Sequence, residues 1–149
     1  MQTKHLRFSN NTASIEDILT HFRGCNPVFY AYLCKKVDLI SYSKKIQLHA
    51  NKFEIWDGTE LVGLVAAYFN DNENKQGFIT NVSVLDSYSR QGIASALMQK
   101  CIDYASLNTF LTITLEVNSN SHKAIGLYNL YNFETVATKD DQNVMQLNL

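Results

Sequence analysis

The residues with the most chemistry in them lie between Val82 and Met98. Val82-Ser83-Val84 closes a β-branched, apolar run, and Leu85 to Gln91 makes a polar loop. Gly92-Ile93-Ala94-Ser95 then opens a helix on small residues. The first N–H groups of a helix lack an internal partner and sit at the positive end of its dipole. A diphosphate can accept those hydrogen bonds where the backbone approaches it closely. Gly92 removes a Cβ at that approach, Ala94 keeps the next side chain small, and Arg90 offers a charge-assisted contact. The glycine spacing is not GxGxxG and no Walker-type Lys follows, which weakens a reading as another nucleotide-binding α/β domain. The same residues also suit an ordinary strand–loop–helix joint with small residues for packing.

Other reactive side chains form no constellation. His5, His21, His49 and His122 are scattered and are expected at the surface. Cys25, Cys34 and Cys101 are odd in number, widely spaced and without a CxxC pair, so neither a disulfide framework nor a metal site is expected. Buried or idle thiols in a reducing compartment are the expectation. The chain has 149 residues, 46% hydrophobic and 18% charged, with a formal net charge of −1. That supports a sizeable core and gives no bulk charge for nucleic acid or a membrane surface. No apolar run follows the N-terminus in the manner of a signal peptide, and Leu61 to Phe69 is far too short to span a bilayer. A soluble, cytoplasmic protein of one domain over residues 1–149 is expected.

The elements that must carry the loop can be read from periodicity. Lys4 to Phe8 suits a short first strand. Ser14 can cap a helix whose first turn carries Glu16 and Asp17, with Ile15, Ile18, Leu19 and Phe22 on one face and Gly24 at the stop. Pro27 suits the first turn of a second helix, and Leu39 to Leu48 a third. Lys52 to Trp56 alternates as a half-buried strand does, and Asp57-Gly58 marks a tight turn. Leu61 to Phe69 reads as a strand buried on both faces, and Phe78 to Val84 as the next strand. A helix over Gly92 to Ser106, a strand from Leu111 to Val117, a helix over Ser121 to Tyr131 and two last strands complete the order. Hairpins mixed with helical crossovers predict an α/β (α+β) fold, a mixed six- to seven-stranded sheet flanked by helices.

The loop segment resembles the acetyl-CoA loop of the GNAT superfamily of N-acetyltransferases, whose pattern is Arg or Gln, two residues, Gly, one residue, then Gly or Ala. A second block resembles the family downstream: Leu115-Glu116-Val117, then Ala124-Ile125-Gly126-Leu127-Tyr128, then Asn132-Phe133. Three positions depart from the pattern. Ser89 stands where Arg or Gln is usual, Ser121 where Asn is frequent, and Asn132 where Gly is usual. Asn tolerates a left-handed backbone better than most residues.

The resemblance implies a cofactor site of Val82, Ser83, Val84, Ser89, Arg90, Gln91, Gly92, Ile93, Ala94, Ser95 and Ser121. It implies that acetyl-CoA serves as co-substrate without a metal, and that its pantetheine arm pairs with the Phe78–Val84 strand like an added strand. A backbone N–H near Val82 would stabilise the oxyanion as an amine attacks. Transfer would be direct, with Tyr128 as general acid to the leaving thiolate and Glu116 as a candidate base. Read alone, Tyr128 also falls on the apolar helix face of Ala124 and Tyr131, and Glu116 on a solvated strand face. Thr80, where many relatives carry Glu, cannot act as a base. The acceptor would be a small-molecule or peptide amine, and the protein a monomer or homodimer without nucleic acid or membrane. Ser89, Ser121 and Thr80 also allow a catalytically weak acyl-CoA-binding regulatory module on the same fold.

Overall fold

Ser14 starts the first helix as its sequence requires. Its hydroxyl accepts from the Asp17 N–H, and the Asp17 carboxylate accepts from the Ser14 N–H, a reciprocal cap. The helix, α1 (Ile15–Arg23), ends at Gly24, and α2 (Pro27–Lys36) and α3 (Leu39–His49) follow. A computed structural model describes residues 5–149, and Lys4, expected in the first strand, lies outside them.

The strands are β1 (Leu6–Asn10), β2 (Asn51–Asp57), β3 (Glu60–Asp71), β4 (Gln76–Val84), β5 (Thr112–Asn118), β6 (Glu134–Lys139) and β7 (Gln142–Asn148). Helix α4 (Ile93–Leu107) joins β4 to β5, and α5 (His122–Leu130) precedes β6. The seven strands run in the order β1-β2-β3-β4-β5-β7-β6. β4 and β5 are parallel, whereas β1–β2, β5–β7 and β6–β7 are antiparallel, so the sheet is mixed. The order of helices and strands read from the sequence is the observed one, with shifted ends.

Residue contacts group into two compact units. The first takes in the described residues to Ala66 together with Asn81–Cys101. Its core includes Ile18, Phe22, Ile46, Leu64 and Leu97, all fully buried. Phe22 and Tyr42 stack at 5.9 Å between α1 and α3. Glu54 is buried with a full set of donors: the N–H groups of Thr12 and Ala13, each 3.0 Å away, the Thr12 hydroxyl and the Trp56 indole. A buried carboxylate is tolerable only when so supplied, and here it fixes the turn from β1 into α1. Gly63 on β3 lets α4 sit close, because a Cβ there would run into the Ile93 side chain.

The second unit comprises Ala67–Thr80 and Ile102–Leu149. Ile113, Leu115, Met145 and Leu147 are among its buried sheet residues, alternating with more exposed neighbours as the pleat requires. The Phe69 ring packs against Tyr104 and Phe110 at 5.0 and 4.9 Å. Asn132 holds φ at 71° just before Phe133, the left-handed turn for which Asn is suited.

Candidate active site

In the first unit, the far end of β4 is anchored from its buried face. β4 and β5 are in register from Gln76↔Thr112 to Ile79↔Leu115, and β4 then continues through Asn81–Val84. Asn81 and Ser83 are buried, while Val82 and Val84 on the other face are half-buried. Ser83 Oγ lies 2.8 Å from His21 Nε2 and 2.6 Å from Asn81 Oδ1. The other ring nitrogen, Nδ1, is 2.9 Å from the Leu61 carbonyl of β3. That carbonyl can only accept, so Nδ1 carries a proton. The residues that follow α1 hold the chain just past β4: the Asp86 N–H donates to the Gly24 carbonyl, and Cys25 forms a bridge with Leu85.

His21 is therefore not a surface residue, as expected from its isolation in sequence, but 1% exposed. Burial pushes its pKa down to about 4, against the opposing hydrogen bonds to Leu61 and Ser83. Sequence reasoning missed it, although a signal existed. His21 stands three residues after Ile18 and beside Phe22, on the apolar face of α1. His5, His49 and His122 are exposed, as expected. Cys25 and Cys101 are buried thiols whose pKa burial raises to about 12, and Cys34 is free and exposed.

The chain after β4 makes one 3₁₀ turn, Asp86–Tyr88, and then the loop. Two side chains hold it. The Tyr88 hydroxyl donates to Asp57 Oδ2 at 2.5 Å, which raises the phenol pKa to about 12, and Ser89 Oγ donates back to the Asp86 carbonyl. Ser89 thus directs its hydroxyl to the loop itself. Arg90 is exposed with φ at 65°, and Gly92 has φ at 76°. Left-handed residues at alternate positions turn successive N–H groups toward one concavity, a shape that receives anions. A Cβ built on Gly92 would meet nothing within 4 Å, so the space before the start of α4 is open. Gln91 Oε1 is buried without a partner among the described residues, while Ala94 and Ser95 are half-buried and Ile93 is buried. This loop fits a diphosphate through its backbone, its open face and its one cation.

The second unit holds Glu116, Ser121 and Tyr128. Glu116 is exposed on β5 opposite Val144 of β7. Ser121 stands at the N-terminal cap of α5, and its side chain makes no capping bond. Tyr128 is 6% exposed, with its ring 6.0 Å from Phe133. Burial pushes its phenol well above the usual range, so it holds its proton at neutral pH. Among the described residues, no group of three or more His, Cys, Asp or Glu is placed to hold a metal ion. No helix among them is long and apolar enough to cross a membrane.

Solved structures share this fold at low identity. The ribosomal-protein-S18-alanine N-acetyltransferase of Escherichia coli superposes with a TM-score of 0.77 at 17% identity, covering 96% of this chain and 93% of that one. The PaiA N-acetyltransferase of Thermoplasma acidophilum, solved in complex with coenzyme A, gives 0.75 at 12% identity, covering 96% and 99%. A probable acetyltransferase of Staphylococcus epidermidis gives 0.77 at 15%, covering 96% and 98%. The fold is thus that of the acyl-CoA N-acyltransferases. The model of the acetyltransferase (GNAT) family matches residues 13–133, and the chain belongs to that family. It is an acetyl-CoA-dependent N-acetyltransferase. No curated protein matches the chain in sequence.

Proposed function

We propose that the protein moves the acetyl group of acetyl-CoA directly to a primary amine of a small molecule or peptide, without an acyl-enzyme. The observation that carries this reading is the Arg90–Gly92 loop: two left-handed residues, open space facing Gly92, and a helix start directly behind. The backbone N–H groups from Gln91 to Ser95 would hold the diphosphate, with the Arg90 guanidinium as a charged partner. Acetyl-CoA itself supplies the activated acyl thioester.

The part of β4 beyond its register with β5 offers backbone groups of Val82, Ser83 and Val84 to an extended ligand. The Val82 N–H is the donor assigned to the acetyl carbonyl, where negative charge develops during attack. Tyr128 gives its proton to the departing thiolate, and Glu116 takes the amine's proton, directly or through water. Depth in the protein makes a tyrosinate costly, so Tyr128 must regain a proton before the next turnover. Ser121, at the start of α5, completes the set of cofactor contacts.

The test is release of CoA thiol from acetyl-CoA against a panel of amines, amino sugars and short peptides with free N-termini. Acetyl-CoA should also raise the melting temperature more than ATP does, since only the former carries the pantetheine arm. Equal stabilisation by both would refute the assignment of β4 to the arm. Tight acetyl-CoA binding with no release for any amine would favour a binding module over an enzyme.

A further inference from the structure

A strand that offers its backbone to a ligand cannot also use those groups to hold itself in place. β4 keeps a register with β5 only through Ile79, so beyond it the Asn81–Val84 stretch keeps β3 as its sheet neighbour and takes a second anchor on its buried face. The first unit provides one made of side chains. His21 on α1 spans from the Leu61 carbonyl to Ser83 Oγ, and Ser83 Oγ touches Asn81 two residues earlier on the same face. Ser83 and Asn81 flank Val82, so fixing both side chains fixes the two peptide planes around Val82.

We propose that His21, acting through Ser83 and Asn81, is a positioning residue that sets the direction of the Val82 N–H toward the acetyl carbonyl. This rests on the function proposed above for Val82. The proton count shows why a neutral imidazole suits the task. Nδ1–H donates to the Leu61 carbonyl, so Nε2 accepts the single hydroxyl proton of Ser83. The structure sets Asn81 Oδ1 against Ser83 Oγ, but the one hydroxyl proton is already given to Nε2, so the proton count requires the Asn81 amide to present its N–H there, nitrogen and oxygen exchanged. Both imidazole nitrogens and the Ser83 hydroxyl then each have a partner. Other contacts of α1 with this stretch, the Gly24–Asp86 hydrogen bond and the Cys25–Leu85 bridge, act one or more residues beyond Val84 and do not orient Val82.

Two substitutions separate positioning from mere stability. In His21→Gln the amide reaches the place of Nε2 and keeps the bond to Ser83. In His21→Asn the side chain is one methylene shorter, keeps the bond to Leu61 and loses Ser83. The readout is the infrared stretch of the thioester carbonyl of isotope-labelled acetyl-CoA bound to each protein, with CoA affinity measured by calorimetry. The wild type and His21→Gln should both lower the carbonyl frequency relative to free acetyl-CoA. His21→Asn should return it toward the free value while CoA affinity holds. A carbonyl that stays lowered in His21→Asn overturns the positioning role and leaves the proposed function standing. A carbonyl unshifted in bound wild type removes the donor role of Val82 and both readings of β4 with it. Should His21→Asn not fold, Ser83→Thr and Ser83→Ala make the same comparison, since Thr keeps the hydroxyl and Ala does not. Retention of the lowered frequency in Ser83→Ala would then overturn the proposal.

Discussion

His21 makes acid stability a test of the buried network. Its folded pKa is about 4, against an ordinary value of 6.5, and desolvation is the main cause. The folded state thus resists a proton that the unfolded chain accepts. Between these values the unfolded state binds more protons, so stability rises with pH. The contribution is complete above pH 6.5, is lost steadily as pH falls, and reaches its full loss near pH 4. At about 1.4 kcal/mol per pH unit, the loss is about 3 kcal/mol. For a domain with a total of about 5–15 kcal/mol, that is a large fraction. Carboxylates titrate over the same range, so the informative quantity is a difference. Urea unfolding of wild type and His21→Gln at closely spaced pH values isolates it, because Gln has no proton to take. The wild type should lose about 3 kcal/mol more than the variant between pH 7 and pH 4. Parallel pH profiles would refute the argument, for they would mean that water reaches the ring and solvates its charged form. Direct NMR titration of the His21 ring gives a second reading, with its midpoint near 4 in the folded protein.

The other expected outcomes concern ligand binding and turnover. Tyr128→Phe should lower kcat by about 10²-fold with acetyl-CoA affinity little changed, measured with chemistry shown to be rate-limiting; near-wild-type turnover removes Tyr128 from the mechanism. Arg90→Ala should weaken CoA binding by about 1–3 kcal/mol at low salt and by less at high salt, read by calorimetry; no change at low salt means the loop binds through its backbone alone. Gly92→Ala should cost about 1–2 kcal/mol of stability from its left-handed φ, and should weaken CoA further by placing a methyl in the open space; unaltered affinity would argue that the ligand keeps clear of Gly92.

The elements were legible because each carries a local signal with one dominant cause. Ser14 and Gly24 bracket α1 through hydrogen bonds that neighbouring residues supply, and Pro27 opens α2 where a missing N–H costs nothing. The run from Leu61 to Phe69 is apolar on both faces because both faces of β3 are buried. The loop from Ser89 to Ala94 was legible for a different reason. A backbone that must turn left-handed and leave room in front of it leaves little choice at Gly92, so a short pattern suffices. Arg90 shows the limit of that pattern: its φ of 65° is a tertiary fact that no side-chain preference of Arg announces.

His21 was read wrongly because its role is made by partners far away in sequence. Leu61 lies 40 residues on and Ser83 lies 62 residues on, and neither spacing has a periodic signature. A polar side chain on an apolar helix face looks like an exception until its partners are known. It then becomes a constraint, because a buried imidazole must satisfy both nitrogens. The same argument separates the two kinds of residue around β4. In the proposed reaction Val82 and Val84 act through backbone groups that any residue has, so sequence marks them weakly. Ser83 and Asn81 work through side chains, and replacing either leaves a buried polar atom unpaired at a cost of about 1–3 kcal/mol. On the proposed mechanism, backbone function at the end of β4 is therefore held in place by side-chain chemistry at the positions between.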